Sequence, residues 1–297
     1  EIIVVDNDSN DNSAQMVIEK YPYINLIQNK TNFGFSKAVN QGIKISSGEY
    51  LLLLNPDTVL EKNTLNILIN YMENNKSVGM CGPKILNSDG TLQLSCKRSF
   101  PTPIVAFPKL IGLDKLFPKN KWVGRYNLTY LDENQCHSVD AISGSFMFIR
   151  KQILNEVGFL DEEFFMFGED LDLCFRIKKH NYQIHYVPTT QIIHFKGESV
   201  KSVPLESIKW FYNAMDLFVN KHFSSKTSFL FTFLLKTGIF LRKISSIFKS
   251  GVVNVFPLIL DIFTILLSFM IGISLRFSTH ETIFHNYIPI LIIYLII

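Results

Sequence analysis

Residues 51–58 read LLLLNPDT. Four consecutive leucines have the make-up of a strand buried on both faces, as in parallel sheets covered by helices. The run then stops at Asn55-Pro56-Asp57, turn chemistry that ends on a carboxylate. The flanks say which kind of sheet this is. Upstream, EIIVVD (1–6) reads as a strand, NSAQMVIEKYP (12–22) as a helix, INLIQN (24–29) as a strand, FSKAVNQGIKIS (35–46) as a helix closed by Gly48, and EYLLLLN (49–55) as a strand. Regular alternation of strand and helix predicts βαβ units, a parallel sheet and a ligand site at the C-terminal ends of its strands. Asp6 and Asp57 both stand where a buried strand ends. Each alone fits turn or capping chemistry equally well; together they point to a site.

The chain has 297 residues, room for one large domain and an appendage, and 47% of them are hydrophobic, an excess that collects at the C-terminus. A net charge of +3, with no Lys/Arg-rich patch interleaved with aromatics in the first two hundred residues, excludes nucleic acid as the partner. Cys81, Cys96, Cys136 and Cys174 lie far apart, without metal-ligand spacing, and read as reduced thiols. The chain opens in mid-strand at Glu1, which reads as a fragment. Residues 82–136 read as a long loop region.

The densest chemistry lies between 139 and 199. SGSFMFIR (143–150) reads as a strand, KQILNEVG (151–158) as a helix capped by Gly158, and EDLDLCFRIKKHN (169–181) as a helix with Leu171, Cys174, Phe175 and Ile177 facing inward. Glu169 and Asp170 then occupy its first turn, where exposed N–H groups favour an ionised carboxylate. Acidic residues also collect there for helix stability alone. The lead-in DEEFFMFGED, too apolar for a solvated loop and too acidic for plain core, favours a working carboxylate. His194, at the end of the apolar run QIIH, is by itself more often a packed residue than a ligand.

In order and spacing, VVDNDSNDNS, NFGFSKAVNQG, LLLLNPDT, the block from AISGSFMFIR to GEDLDLCFRI, and IIHFKGES resemble the inverting family 2 glycosyltransferases of GT-A fold, and among them the rhamnosyltransferase-like members that build bacterial surface polysaccharides. The resemblance covers residues 1–220 and implies a nucleotide-sugar-binding α/β sheet flanked by helices, with residue 1 falling at the family's second strand. It implies that Asp6 holds the pyrimidine of a nucleotide-diphosphate sugar, and that Asn32, Gly34 and Phe35 lie near the nucleotide, with Gly34 allowing close backbone approach. Asn55-Pro56-Asp57 falls where the family carries its DxD motif. Asp57, joined by His194, would hold Mg²⁺ or Mn²⁺ against the diphosphate; Asn55, a neutral amide, leaves that cation fewer charged ligands. Asp170 would be the general base, with Glu169 the neighbouring candidate. The acceptor would be a saccharide or a lipid-linked saccharide.

The C-terminus reads separately. Residues 221–250 carry six Lys/Arg and no Asp/Glu among aromatic and aliphatic runs, the pattern of a basic amphipathic segment on a membrane surface. Residues 252–274 have Asp261 as their only charge and suffice to span a bilayer; a further apolar run begins at 288, so 251–297 is expected to be transmembrane. The positive charge before the span predicts a catalytic domain on the cytoplasmic face of the cell membrane. Two other functions fit parts of the pattern. One is a catalytically impaired nucleotide-sugar-binding or scaffolding module, which Asn55 permits and Asp57, Asp170 and His194 oppose. The other is a nucleotidyltransferase, which the lack of a glycine-rich phosphate loop opposes.

Overall fold

The computed structural model describes residues 1–195 and 204–223 continuously, and beyond them only scattered positions between 237 and 268. Two compact units divide the chain, Glu1–Lys243 and Ile244–Ile297. The basic segment expected over 221–250 and the apolar one over 251–297 therefore lie almost entirely outside the described residues. Among the described residues no helix is long and apolar enough to cross a membrane.

In the first unit the expected alternation appears as β1 (Ile3–Asn7), α1 (Ser13–Lys20), β2 (Asn25–Asn29), α2 (Phe35–Ile45) and β3 (Tyr50–Leu54). β4 (Thr58–Leu60), α3 (Thr64–Asn74), β5 (Val78–Leu86) and a 3-10 turn at Leu94–Cys96 follow. Then come α4 (Pro103–Leu110), α5 (Leu113–Leu116), β6 (His137–Val139), β7 (Phe146–Arg150), α6 (Lys151–Val157), α7 (Glu169–Lys179), β8 (Gln183–His194) and α8 (Pro204–His222). The region expected to be one long loop thus holds most of a nine-residue strand and two short helices. All four cysteines are free thiols.

The sheet is not the parallel one that the alternation suggests. β1 and β2 pair in parallel by themselves, while β3-β7-β5-β8-β4 form a larger mixed sheet, with β6 on β8. In the larger sheet only β5 and β8 run parallel. The leucine run is likewise not buried on both faces: Leu51 is buried, Leu52 and Leu53 are half-buried and Leu54 is exposed. The cause is position, because β3 is an edge strand that pairs only with β7, Leu54 standing opposite Phe146 and Tyr50 opposite Arg150. The fully buried strand is β7, in which all of Phe146–Arg150 is covered.

Packing follows from the side chains. α6 lies close on β5 because Gly79 has no Cβ; one added there would stand 2.5 Å from Ile153 Cδ1. α7 turns Leu171, Cys174 and Ile177 into the same core. α2 bridges the two sheets: its Gly42 rests on Val5 and Ile3 of β1, and its Ile43 shares the core with Leu51.

One polar lock joins α7 to α8. Asp172, fully buried, accepts from Arg176 Nε at 2.8 Å and lies 2.7 Å from His222 Nε2, while Arg176 also donates to the carbonyls of Val157, Gly158 and Phe159. Burial works to raise the Asp172 carboxyl, but the bonds from His222 and Arg176 more than offset it and hold it below the ordinary range. The stabilisation this gives is complete above the unfolded carboxylate pKa and is lost as pH falls through the lower folded value. Removing one partner of a buried pair strands the other, so Asp172→Ala is expected to cost about 3 kcal/mol. A urea midpoint lowered at unchanged slope is the measurement; an unmoved midpoint would remove the lock from the account.

Candidate active site

Antiparallel pairing of β4 with β8 sets Thr58 opposite His194, and the Phe195 N–H donates to the Asp57 carbonyl at 2.9 Å. This brings Asp57 Oδ1 to 3.2 Å from His194 Nε2, so the two residues that the resemblance pairs do lie together. The Asp57 oxygen is buried and has no hydrogen-bond partner. On the other side of the ring, Nδ1 lies 3.0 Å from Gln93 Oε1, and the Gln93 amide nitrogen donates to Asn87 Oδ1, which fixes that oxygen toward the imidazole. The ring is thereby held with Nδ1 turned to Gln93 and Nε2 turned to Asp57. An imidazole nitrogen beside a buried carboxylate oxygen is a pair of groups able to ligate a cation. Among the described residues no cluster of three or more His, Cys, Asp or Glu stands ready for a metal. Asp57 and His194 are the residues that would hold a divalent ion here, offering it one carboxylate oxygen and one imidazole nitrogen.

The end of β3 connects this pair to the carboxylates of α7. The Asn55 N–H donates to the Ser145 carbonyl at 3.0 Å, and the adjacent Gly144 N–H donates to Asp170 Oδ2, also at 3.0 Å. Asp170 Oδ2 further accepts from Arg98 at 2.5 Å, and Oδ1 accepts from the Leu171 N–H at 2.7 Å. Arg98 is itself buried and donates to the Ile142 carbonyl at 2.7 Å. Asp170 is thus a carboxylate held in one orientation by three donors at a helix start.

Glu169 differs from the expectation of an ionised first turn. It is buried, its Oε2 has no partner, and burial together with the Asp170 charge pushes its carboxyl well above the ordinary range. The helix terminus does favour an anion, but it cannot offset desolvation of a carboxylate that lacks a counterion while Asp170 takes Arg98. Of the two first-turn carboxyls, Glu169 is the one whose protonated form the fold favours.

Asp6, Asn32, Gly34 and Phe35 belong to a third group, around the small sheet. Asp6 is half-buried in β1 opposite Gln28, on a different sheet from β8, which carries His194, and from β3 and β4, which flank Asp57. Its neighbour Asn7 is the organiser: Nδ2 donates to Asn32 Oδ1 at 2.9 Å and to the Gly34 carbonyl at 3.2 Å, and Oδ1 accepts from Asn29 and from the Phe33 N–H. The close approach that requires glycine at 34 is to Phe165. A Cβ there would sit 2.7 Å from the Phe165 carbonyl oxygen, at a φ of +86° that other residues avoid. The Phe35 N–H donates to that same carbonyl, Ser36 Oγ to Phe164 and Asn40 to Leu160. The aromatic, acidic lead-in to α7 is therefore clamped onto α2, which ties the loop around Asn32 and Gly34 to the carboxylate helix.

Sequence reasoning missed Arg98, Gln93 and Asn7. Arg98 and Gln93 sit in the stretch read as loop, where nothing in the local pattern separates a buried cation or amide from a solvated one. Asn7 could have been found, since Asp6-Asn7-Asp8 offers a polar side chain to each face of the strand end.

A strand-end carboxylate with histidine, a clamped helix-start carboxylate and an α/β scaffold between them make up the frame of a sugar-transferring enzyme. Residues 1–158 match the model of glycosyl transferase family 2, and residues 120–297 that of glycosyl transferase family group 2. The chain belongs to the family 2 glycosyl transferases. It is similar to the N-acetylglucosaminyl-diphospho-decaprenol L-rhamnosyltransferase of Mycobacterium tuberculosis, with 27% identity over 229 residues, 73% of this chain and 74% of that one. It is 29% identical to the low-salt glycan biosynthesis hexosyltransferase Agl10 of Haloferax volcanii, over 65% of this chain and 58% of that one. Among solved structures, the mannosyltransferase PcManGT of Pyrobaculum calidifontis, in complex with GDP-Man and Mn²⁺, superimposes with a TM-score of 0.50 over 83% of this chain and 62% of its own length, at 14% identity. That likeness shows the fold, an α/β sheet of GT-A type flanked by helices.

Proposed function

We propose that this chain moves a hexose or deoxyhexose, rhamnose being the first choice, from a nucleoside-diphosphate donor to a lipid-linked saccharide, with inversion, in the synthesis of a bacterial surface polysaccharide. Membership of family 2 gives the reaction class, and the observation that carries the reading further is the unsatisfied Asp57 oxygen facing His194, on a scaffold that also fixes Asp170. The rhamnosyl and lipid-linked parts rest on the mycobacterial relative's name.

In this reading the loop organised by Asn7, with Asp6 and Asn32, takes the nucleotide end of the donor. Asp57 and His194 hold Mg²⁺ or Mn²⁺, which when bound offsets the charge growing on the departing diphosphate. Asp170 accepts the proton of the acceptor hydroxyl as it attacks the anomeric carbon from the face opposite the leaving group. Arg98, Gly144 and Leu171 fix the direction of its lone pairs and so supply orientation that a mobile side chain would lack. Glu169, protonated, fills space beside the base.

The proposed architecture is a catalytic domain over 1–220, a basic membrane-surface segment over 221–250 and membrane-spanning helices in 251–297, with the catalytic domain on the cytoplasmic face, where nucleotide sugars are made. The test is a panel of nucleotide sugars offered with a polyprenyl-diphosphate-linked N-acetylglucosamine acceptor and Mn²⁺, read by mass shift of the lipid. A single added deoxyhexose from a rhamnose donor is expected. Transfer only from other donors would displace rhamnose, and a mass shift from none of them would overturn the proposed reaction.

A further inference from the structure

Beside the acceptor-side carboxylate, α4, α5 and the turns after them carry an apolar surface that the core does not use. α4 buries Val105 and Ala106, the latter against Tyr212 and Val219 of α8. Its outer side presents Ile104, Phe107 and, just past its end, Ile111, at helical spacing and each more than half exposed. Leu116, Phe117 and Trp122 continue the series, Trp122 at 71% exposure. Single exposed apolar side chains are ordinary, but six large ones within nineteen residues are a patch with a use.

The charges say what covers it. Asp114 is the only acid from 103 to 131, and Lys109 holds it at 2.8 Å. Lys115, Lys119, Lys121 and Arg125 are all exposed. A protein interface core is depleted of lysine, whereas Trp, Phe and Leu alternating with Lys is the chemistry of an anionic bilayer surface, where rings and aliphatic chains enter the headgroup layer and amines meet lipid phosphates.

We infer that residues 104–125 form a docking surface for an anionic lipid bilayer, separate from the C-terminal segment, that seats the catalytic domain on the membrane. The surface begins six residues after Arg98, which grips Asp170, and Phe100 between them packs edge-on against Phe175 of α7. Docking here brings the base toward the lipid surface, where the reacting hydroxyl of a lipid-linked acceptor lies. That last step rests on the proposed acceptor; the docking does not.

The test uses the full chain in nanodiscs. Of the two tryptophans, Trp210 packs against Phe165 and is replaced conservatively by Trp210→Phe, leaving Trp122 as the only reporter. In discs containing phosphatidylglycerol and lipids brominated in the acyl chain, Trp122 emission is expected to shift to the blue and to be strongly quenched. In purely zwitterionic discs the quenching is expected to be weaker, and Lys115→Glu/Lys119→Glu/Lys121→Glu should abolish it, since each cation is worth roughly fivefold in partitioning. The triple variant is also expected to slow transfer to a membrane-embedded acceptor while leaving transfer to a water-soluble acceptor analogue unchanged. Unquenched Trp122 in anionic discs overturns the inference even if sugar transfer is normal. Shielding of Trp122 from aqueous acrylamide that rises with protein concentration without lipid quenching overturns it as well, in favour of an interface between copies. Quenched Trp122 with no transfer from any donor supports the docking and sinks the proposed reaction instead.

Discussion

Asp170→Asn is expected to slow sugar transfer by roughly 10²-fold or more, with donor affinity little changed. The substitution keeps size and removes the capacity to accept a proton. It is not silent for structure, because Asp170 accepts on both oxygens, from Leu171 on one and from Gly144 and Arg98 on the other. Whichever way the amide turns, its NH₂ faces a donor, so the variant loses some stability along with its chemistry. Two readouts separate the losses. Below the unfolding transition, nucleotide-sugar binding measured by calorimetry reports an intact donor site, while kcat for transfer reports the base. Donor binding near wild type with kcat down a hundredfold is the expected pair; kcat near wild type would remove Asp170 from the mechanism.

Glu169→Gln is the paired experiment, and its expected result is the opposite. In the folded protein the Glu169 carboxyl is pushed toward its protonated form, because it is buried beside the Asp170 charge with its Oε2 unpartnered. The glutamine amide imitates that neutral group, so transfer is expected to continue at near the parent rate. The linkage has a definite sign. The folded pKa lies above the unfolded value of about 4.3, so between the two the native state holds a proton that the unfolded chain has lost, and stability falls as pH rises through that window. Glu169→Gln removes the slope. The variant and the parent should unfold together near pH 4, with the variant gaining ground toward pH 8. A dead Glu169→Gln together with an active Asp170→Asn would move the base by one residue.

How far such residues can be found without coordinates depends on where their partners lie. The elements from 1 to 55 were legible because their signals are local: apolar runs, period, and Gly or Asn at the breaks. The α7 block was legible for the same reason, down to Gly158 with its φ of +85°. Strand direction was not, because β3 pairs with β7 almost a hundred residues later, and no local pattern records whether a neighbour runs up or down. The LLLL run read as doubly buried for the same reason: hydrophobicity was visible, edge position was not. In the candidate site, strand ends and a helix start left Asp57, His194 and Asp170 open one by one and only the family resemblance singled them out, while the ionisation preference of Glu169 had no signal at all. It depends on Arg98, seventy-two residues from Asp170 in sequence, having gone to Asp170.

Asp57→Ala is expected to cost roughly 10²- to 10³-fold in transfer, the share that a cation contributes by stabilising a developing charge worth several kcal/mol. Asp57 is the one carboxylate of the pair, and Asn55, two residues before it, is a neutral amide. Loss of Asp57 should therefore abolish Mn²⁺ binding in the presence of nucleoside diphosphate, as read by the Mn²⁺ paramagnetic resonance signal and independently of turnover. EDTA should stop the parent enzyme, and Mn²⁺ or Mg²⁺ should restore it. Gln93→Ala tests the geometry more finely. It leaves both ligands in place but frees the imidazole whose Nδ1 lies 3.0 Å from Gln93 Oε1, so Mn²⁺ affinity is expected to weaken about 10- to 100-fold while saturating Mn²⁺ recovers most of the rate. Asp57→Ala should not be recoverable in that way. If Mn²⁺ binds Asp57→Ala as tightly as the parent, or if EDTA leaves transfer untouched, then the buried Asp57 oxygen serves His194 as a plain ion pair, and the charge on the leaving diphosphate must be met by side chains alone.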